Sequence, residues 1–142
     1  MTTAPVERVR AFFESISPDS VGRIGEIYTA DAFFKDPFNE VRGVEAIGRI
    51  FAHMFEQLQA PRFVVREVVA QGDDAFLTWD FLFRLRRTGD GEQVIHGASH
   101  LKFGSDGRVS YHRDYWDAAE ELYEKLPLLG GLMRWLKRRA AA

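Results

Sequence analysis

The spacing of apolar residues along the chain changes character once. Val6, Val9, Phe13 and Ile16 recur at steps of three and four, which predicts an amphipathic helix over residues 5–16. Ser17-Pro18-Asp19 then reads as an N-cap, a proline at the first helical position and an acid in the first turn. A second helix is expected there, burying Val21, Ile24, Ile27 and Tyr28. The stretch FFKDPFNEVRG, residues 33–43, suits an extended segment instead, with Phe34, Asp36 and Phe38 on one face and Phe33 and Lys35 on the other. Pro37 holds Asp36 extended and gives no N–H to a ladder, so an edge or terminal strand is implied. Val44, Ile47, Phe51, Met54, Phe55 and Leu58 predict a third helix, closed before Pro61.

From Arg62 onward the pattern is that of strands. RFVVREVVAQ, AFLTWDFLFRLR, EQVIHGASHLKF and RVSYHRDYWD are rich in β-branched and aromatic residues. Gly72-Asp73-Asp74, Gly89-Asp90-Gly91 and Gly104-Ser105-Asp106-Gly107 supply turns between them, so four consecutive antiparallel strands are expected. In the C-terminal segment, Leu122, Leu126, Leu132, Trp135 and Leu136 suggest one or two short helical pieces broken at Pro127 and Gly130-Gly131. Helices followed by a meandering sheet make an α+β order. Its economical packing is a strongly curved, mainly antiparallel sheet with the three N-terminal helices on its concave face and a pocket at the open end.

Composition narrows the function classes. A chain of 142 residues, 46% apolar and 13% aromatic, is expected to fold as a single domain over 1–142. It has no cysteine, which excludes disulfides and thiolate metal sites. No stretch approaches the ~20 apolar residues of a membrane span, and the N-terminus does not resemble a signal peptide. A cytoplasmic location is the expectation. The net charge of −2 gives no field for nucleic acid, and the basic cluster Arg134, Lys137, Arg138 and Arg139 reads as a solvated helix end. His96 and His100 share a strand face, but without HExxH or cysteine no metal site is expected. His53 lies off its helix's apolar stripe and should be exposed. Phosphate loops, nucleophile elbows and nucleotide fingerprints are absent, so no cofactor is implied.

The element order, the Asp36-Pro37 pair ahead of a glycine-initiated helix, and the terminal HRDYWD together resemble the nuclear transport factor 2-like superfamily. That α+β cone is shared by ketosteroid isomerases, SnoaL-like polyketide cyclases and limonene-type epoxide hydrolases. Similarity to the isomerases places Asp36 at their proton-abstracting base. Their oxyanion hole, a tyrosine and a protonated aspartic acid, falls on Phe12 and Ser99. Loss of one such donor costs about 2.7–4 kcal/mol of transition-state stabilisation, so a standard steroid isomerase is not expected. Similarity of RDYWD to the end of the epoxide hydrolases implies a water-activating role for Asp114. Their Arg-x-Asp and Tyr-x-Asn pairs correspond to Asp80-x-Leu82 and Phe34-x-Asp36.

Strand alternation gathers these residues into one expected site. His112, Asp114 and Trp116 share a face, as do Thr78, Asp80 and Leu82. With Trp79, Phe81 and Phe83 turned outward, a homodimer through the outer sheet face would cover them. The inward face would then hold Asp36, Asp80, His112 and Asp114 as proton-handling groups. Phe12, Phe34, Phe38, Ser99, Leu101 and Trp116 would surround a small apolar or polycyclic ligand. Carboxylates crowded into an apolar cavity raise one another's pKa, which furnishes an acid and a base together. The expected function is general acid/base chemistry of isomerase, cyclase or hydratase/hydrolase type; the alternative is a non-catalytic ligand-binding or dimerisation module. The bland readings are that Asp36 forms a turn, that Asp114 pairs with Arg113 or the backbone, and that Asp80 faces solvent if its strand is in the opposite phase.

Overall fold

The computed structural model describes residues 4–85, 91–121, 135–136 and 138–141. Helix α1, Pro5–Glu14, buries Val6, Val9 and Phe13 as the spacing requires. Helix α2, Pro18–Val21, is shorter than expected. Its Ser17 cap is present, with Ser17 Oγ accepting from the Ser20 N–H at 3.1 Å and Ser20 Oγ accepting from the Ser17 N–H at 2.9 Å. Gly22 ends it, a 3₁₀ turn follows at Ile24–Glu26, and Tyr28 begins a strand instead of closing a helical stripe. Two glycines within four residues, each costing about 1 kcal/mol in a helix, explain the early stop.

Strand β1 spans Tyr28–Lys35 and β2 spans Glu40–Arg42. Helix α3, Val44–Gln57, leads into β3, Leu58–Gln71; β4 is Asp74–Leu85, β5 Gln93–Phe103, β6 Val109–Tyr115 and α4 Ala118–Glu121. The third helix thus stops earlier than the proline suggested, and strand runs through Pro61. Irregular pairing between Gln59 and Arg62, with Ala60 at φ 49°, makes the bulge that admits it. The expected helical pieces built on Leu122, Leu126 and Leu132 lie outside the described residues.

The six strands form one sheet in the order β2-β1-β6-β5-β4-β3, antiparallel except where β1 lies parallel to β6. Helix α3 packs against both β1 and β3, which stand four places apart in that order. Four strand spacings would be roughly 19 Å in a flat sheet, too far for one helix about 10 Å across to touch both. The sheet therefore curves around α3, and an α+β fold with a concave, helix-covered face is observed. Among the described residues no helix is long and apolar enough to cross a membrane.

One strand phase differs from the expectation. On β4 the inward residues are Ala75, Leu77, Trp79 and Phe83, all buried, with Phe81 packed against the same core. Asp80 points to the outer face, where it pairs with His96 of β5 at 2.5 Å and with Arg66 of β3 at 2.7 Å. Burying three rings gains several kcal/mol of transfer free energy, whereas burying the carboxylate would cost it, so the aromatic row takes the core. Trp79, Phe81 and Phe83 cannot therefore form an outer dimer surface. The outer face carries a different row: Phe76 stacks on His100 at 4.3 Å, His100 meets Tyr111 at 5.4 Å, and Tyr111 stacks on Phe33 at 5.3 Å.

Candidate functional site

Strand β6 sends His112 and then Asp114 to the concave side. Opposite Asp114 on β5 stands Ser99, and opposite His112 stands Leu101, which is fully buried. From β4, Trp79 crosses toward the same point, because its register partner on β5 is Gly97. A Cβ at position 97 would lie 2.7 Å from Cζ2 of the indole. The absent side chain is what lets the ring lie across β5 and reach Ser99. From the start of β1, the buried Tyr28 places its hydroxyl on the far side of His112.

These side chains make one hydrogen-bonded row whose direction follows from donor chemistry. The Trp79 indole N–H can only donate, and it reaches Ser99 Oγ at 2.9 Å. The Ser99 hydroxyl proton is thereby free to donate to Asp114 Oδ1, at 2.5 Å. His112 Nε2 lies 2.6 Å from the same oxygen and donates to it, leaving Nδ1 to accept from Tyr28 Oη at 2.6 Å. Burial first, and then the charge of Asp114, raise the Tyr28 pKa well above its ordinary value, which keeps that hydroxyl a donor.

Asp114 therefore has one oxygen fixed and one open. Both of its side-chain hydrogen bonds go to Oδ1, and among the described residues no buried side-chain oxygen lacks a partner. Oδ2, which no side-chain donor among the described residues reaches, is therefore accessible. Asp114 lines a cavity of about 730 Å³ at the open end of the sheet. One wall is aromatic, with Phe63, Trp79, Phe81 and Phe83 from the sheet; the other is α3, and Asp36, Phe38 and Trp116 form the rim. A smaller cavity of about 30 Å³ lies beneath, bounded by Ser99, Leu101, His112 and Asp114.

Asp36 is at the rim, one residue past β1, and its bonds are those of a turn. Its Oδ1 accepts from the Phe38 N–H at 2.8 Å and the Asn39 N–H at 2.7 Å, and the Asn39 side-chain amide donates to both oxygens. Phe34 is buried against His112, with ring centroids 4.8 Å apart. Phe38 is 54% exposed and meets Trp116 edge-on at 5.6 Å. Phe12 packs on Phe13 and does not line the large cavity, and Leu101 lies below it. Asp80, outside the concave face, is held below the usual carboxylate pKa, chiefly by its hydrogen bond with His96 and then by that with Arg66. The pair Asp80 and Leu82 is therefore not the inner-face pair of β4; Trp79 and Phe81 are.

Two members of the row, Tyr28 and Trp79, escaped sequence reading, because one fell on an expected helix and the other on a strand taken in the opposite phase. A glycine inside a β pattern, Gly97, was the available signal, since it marks a place where something approaches the backbone closely. Among the described residues no group of three or more His, Asp or Glu is placed to hold a metal ion.

Residues 9–112 match the family model described as a SnoaL-like domain. No curated protein matches the chain. Among solved structures, the chain is similar to a hypothetical protein with a ketosteroid isomerase-like fold from Catenulispora acidiphila, crystallised with trimethylamine. That match has 15% identity and a TM-score of 0.72, covering 86% of this chain and 92% of the other. It is similar to an LEH-like epoxide hydrolase from M. tuberculosis, with 17% identity, a TM-score of 0.70 and coverage of 96% and 98%. It is similar also to TerC co-crystallised with polyporic acid, with 17% identity, a TM-score of 0.71 and coverage of 83% and 95%. At these identities the likeness is one of fold.

Proposed function

The chain belongs to the SnoaL-like domain family, and from that premise we propose that it is a cofactor-independent enzyme performing general acid/base chemistry on a small, largely apolar molecule. The carrying observation is the asymmetry of Asp114: Oδ1 is held by Ser99 and His112, while among the described residues no side-chain donor reaches Oδ2, and Asp114 lines a largely apolar cavity. A base so placed is fixed in orientation and poorly hydrated, the two conditions that make a carboxylate effective in proton transfer. In the proposed step Oδ2 takes a proton from a carbon or hydroxyl of the bound molecule. The O–H bond forms on Asp114 as the substrate bond breaks, and the proton returns at a second atom, giving isomerisation or ring closure without redox change.

His112 and Ser99 act on Asp114 as positioning residues, and Trp79 and Tyr28 orient them in turn. Asp36, with Oδ1 engaged by turn N–H groups and both oxygens by the Asn39 side-chain amide, is proposed to shape the rim. Solved structures of similar fold include proteins described as a candidate isomerase, a candidate polyketide cyclase and an LEH-like epoxide hydrolase, and the reading stays within that range.

Nitrobenzisoxazole tests the proposal without knowledge of the natural substrate. Removal of its ring proton by a carboxylate breaks the N–O bond and releases a coloured cyanonitrophenolate. The protein should accelerate this reaction beyond an equal concentration of acetate. Asp114→Asn should lower the rate by roughly 10²-fold or more, with Asp36→Asn largely retaining it. A parent rate no better than acetate, or equal rates in parent and Asp114→Asn, would make the cavity a binding site only.

A further inference from the structure

The wall of the large cavity formed by α3 differs from the sheet wall. Ala46, Ile50 and Met54, spaced by four, make an apolar row, and Arg49, His53 and Gln57, also spaced by four, make a polar row beside it. Both rows line the cavity. Arg49 is its only Lys or Arg among the described residues. No carboxylate among the described residues lies within ion-pair distance of it, although Glu45 precedes it by one turn. The rim carboxylate Asp36 spends its oxygens on turn N–H groups and Asn39. Among the described residues, the ion-pair partner of His53 is the exposed Glu56, at 3.8 Å.

An arginine with no ion-pair partner among the described residues, on the wall of a largely apolar cavity, presents a planar set of donors suited to a carboxylate or sulfonate. Across from it stands Asp114, which would repel the same group. The cavity is thus electrically polarised, cationic along α3 and anionic at the sheet.

We propose that the ligand is an apolar, ring-containing acid, whose anionic group is recognised by Arg49 with His53 beside it, while its neutral end faces Asp114. This deepens the proposed function by naming the substrate class, and it rests on the same cavity being the substrate site. It makes Arg49 a specificity-determining residue: neutral molecules of equal size should fit the aromatic wall but lack the anchoring pair.

Two fluorescent dyes with one ring skeleton separate the terms. Anilinonaphthalene sulfonate carries the anion, and N-phenylnaphthylamine does not. With the full chain, Arg49→Gln should weaken the sulfonate about tenfold and change the neutral dye by less than about twofold. Arg49→Lys should fall between, since a point charge replaces the fork. Ile50→Trp, which fills the cavity, should weaken both dyes and so locates them there. Equal weakening of both dyes by Arg49→Gln, no change in either, or full binding to Ile50→Trp would overturn the proposal. Because Asp114 is not needed for dye binding, a failed dye experiment and a failed nitrobenzisoxazole experiment are distinguishable.

Discussion

Tyr28 shows how a single buried hydroxyl can orient a carboxylate it never touches. Its oxygen meets His112 Nδ1 at 2.6 Å, and that contact selects the tautomer that donates to Asp114. Tyr28→Phe would leave Nδ1 buried without a donor, at a cost of about 1–3 kcal/mol, measurable as a lower urea midpoint. The hydroxyl's raised pKa, caused first by burial and then by the Asp114 charge, gives a second readout. In an alkaline absorbance titration Tyr28 should stay protonated while exposed tyrosines ionise, and should titrate only as the protein unfolds. Normal ionisation of every tyrosine in the folded protein would contradict the buried row. At this scale Asp114 and His112 were legible from alternation on one strand, and Ser99 from its place near them. The contact between His112 and Asp114 was not, since side chains two apart on a strand meet only if their rotamers are set by partners, here Tyr28 and Ser99.

The pairing of β4 with β5 shows what an element decides that its residues do not. AFLTWDFLFRLR alternates in two phases, one offering Trp79, Phe81 and Phe83 to the core and the other offering Thr78, Asp80 and Leu82. Local pattern treats the two alike when an acidic site is sought. Tertiary context chooses, because Gly97 provides the one gap on β5 through which an indole can cross to Ser99. Gly97→Ala should clash with the ring, force Trp79 off its rotamer and cost about 1–3 kcal/mol. It should also shift the tryptophan emission and lower the nitrobenzisoxazole rate. An alanine variant with parental stability and emission would show that the indole does not lie there. Helix α3 was legible throughout its length, but its exit was not: a bulge at Ala60 lets Pro61 sit inside an edge strand, an exception to the expectation that proline separates elements.

For the whole molecule, the curved sheet separates two electrostatic surroundings. Its concave side holds Asp114 in the hydrogen-bonded row described above, whereas its convex side ties Asp74 to His100 and Asp80 to His96 and Arg66. Asp74 is held below the usual carboxylate pKa, first by its hydrogen bond with His100, and Asp80 likewise, first by that with His96. A folded-state pKa that is depressed means the unfolded chain binds the proton more readily. The stability from these pairs is present above the ordinary carboxylate value of about 3.9 and is lost as pH falls through the lowered folded value. Asp80→Asn should lower the urea midpoint near neutral pH by the small amount expected of exposed pairs. The gap from the parent should close as the solution is acidified, and a gap that widened on acidification would refute the assignment.

The sequence by itself determined the broad order of helices and strands, the α+β class and the shared face of His112 and Asp114 on β6. Those follow from periodicity and turn chemistry, which act over a few residues at a time. Only the tertiary structure decided which face of β4 is inside, that Tyr28 begins a strand, and that Asp36 closes a turn at the rim. Asp36 is held by Asn39 three residues on, whereas the other two depend on partners distant in the chain: Gly97 across from Trp79, and His112 against Tyr28. Such partners are far apart along the chain or hidden in its register, and the energy that selects them is burial and hydrogen bonding between elements, not within them.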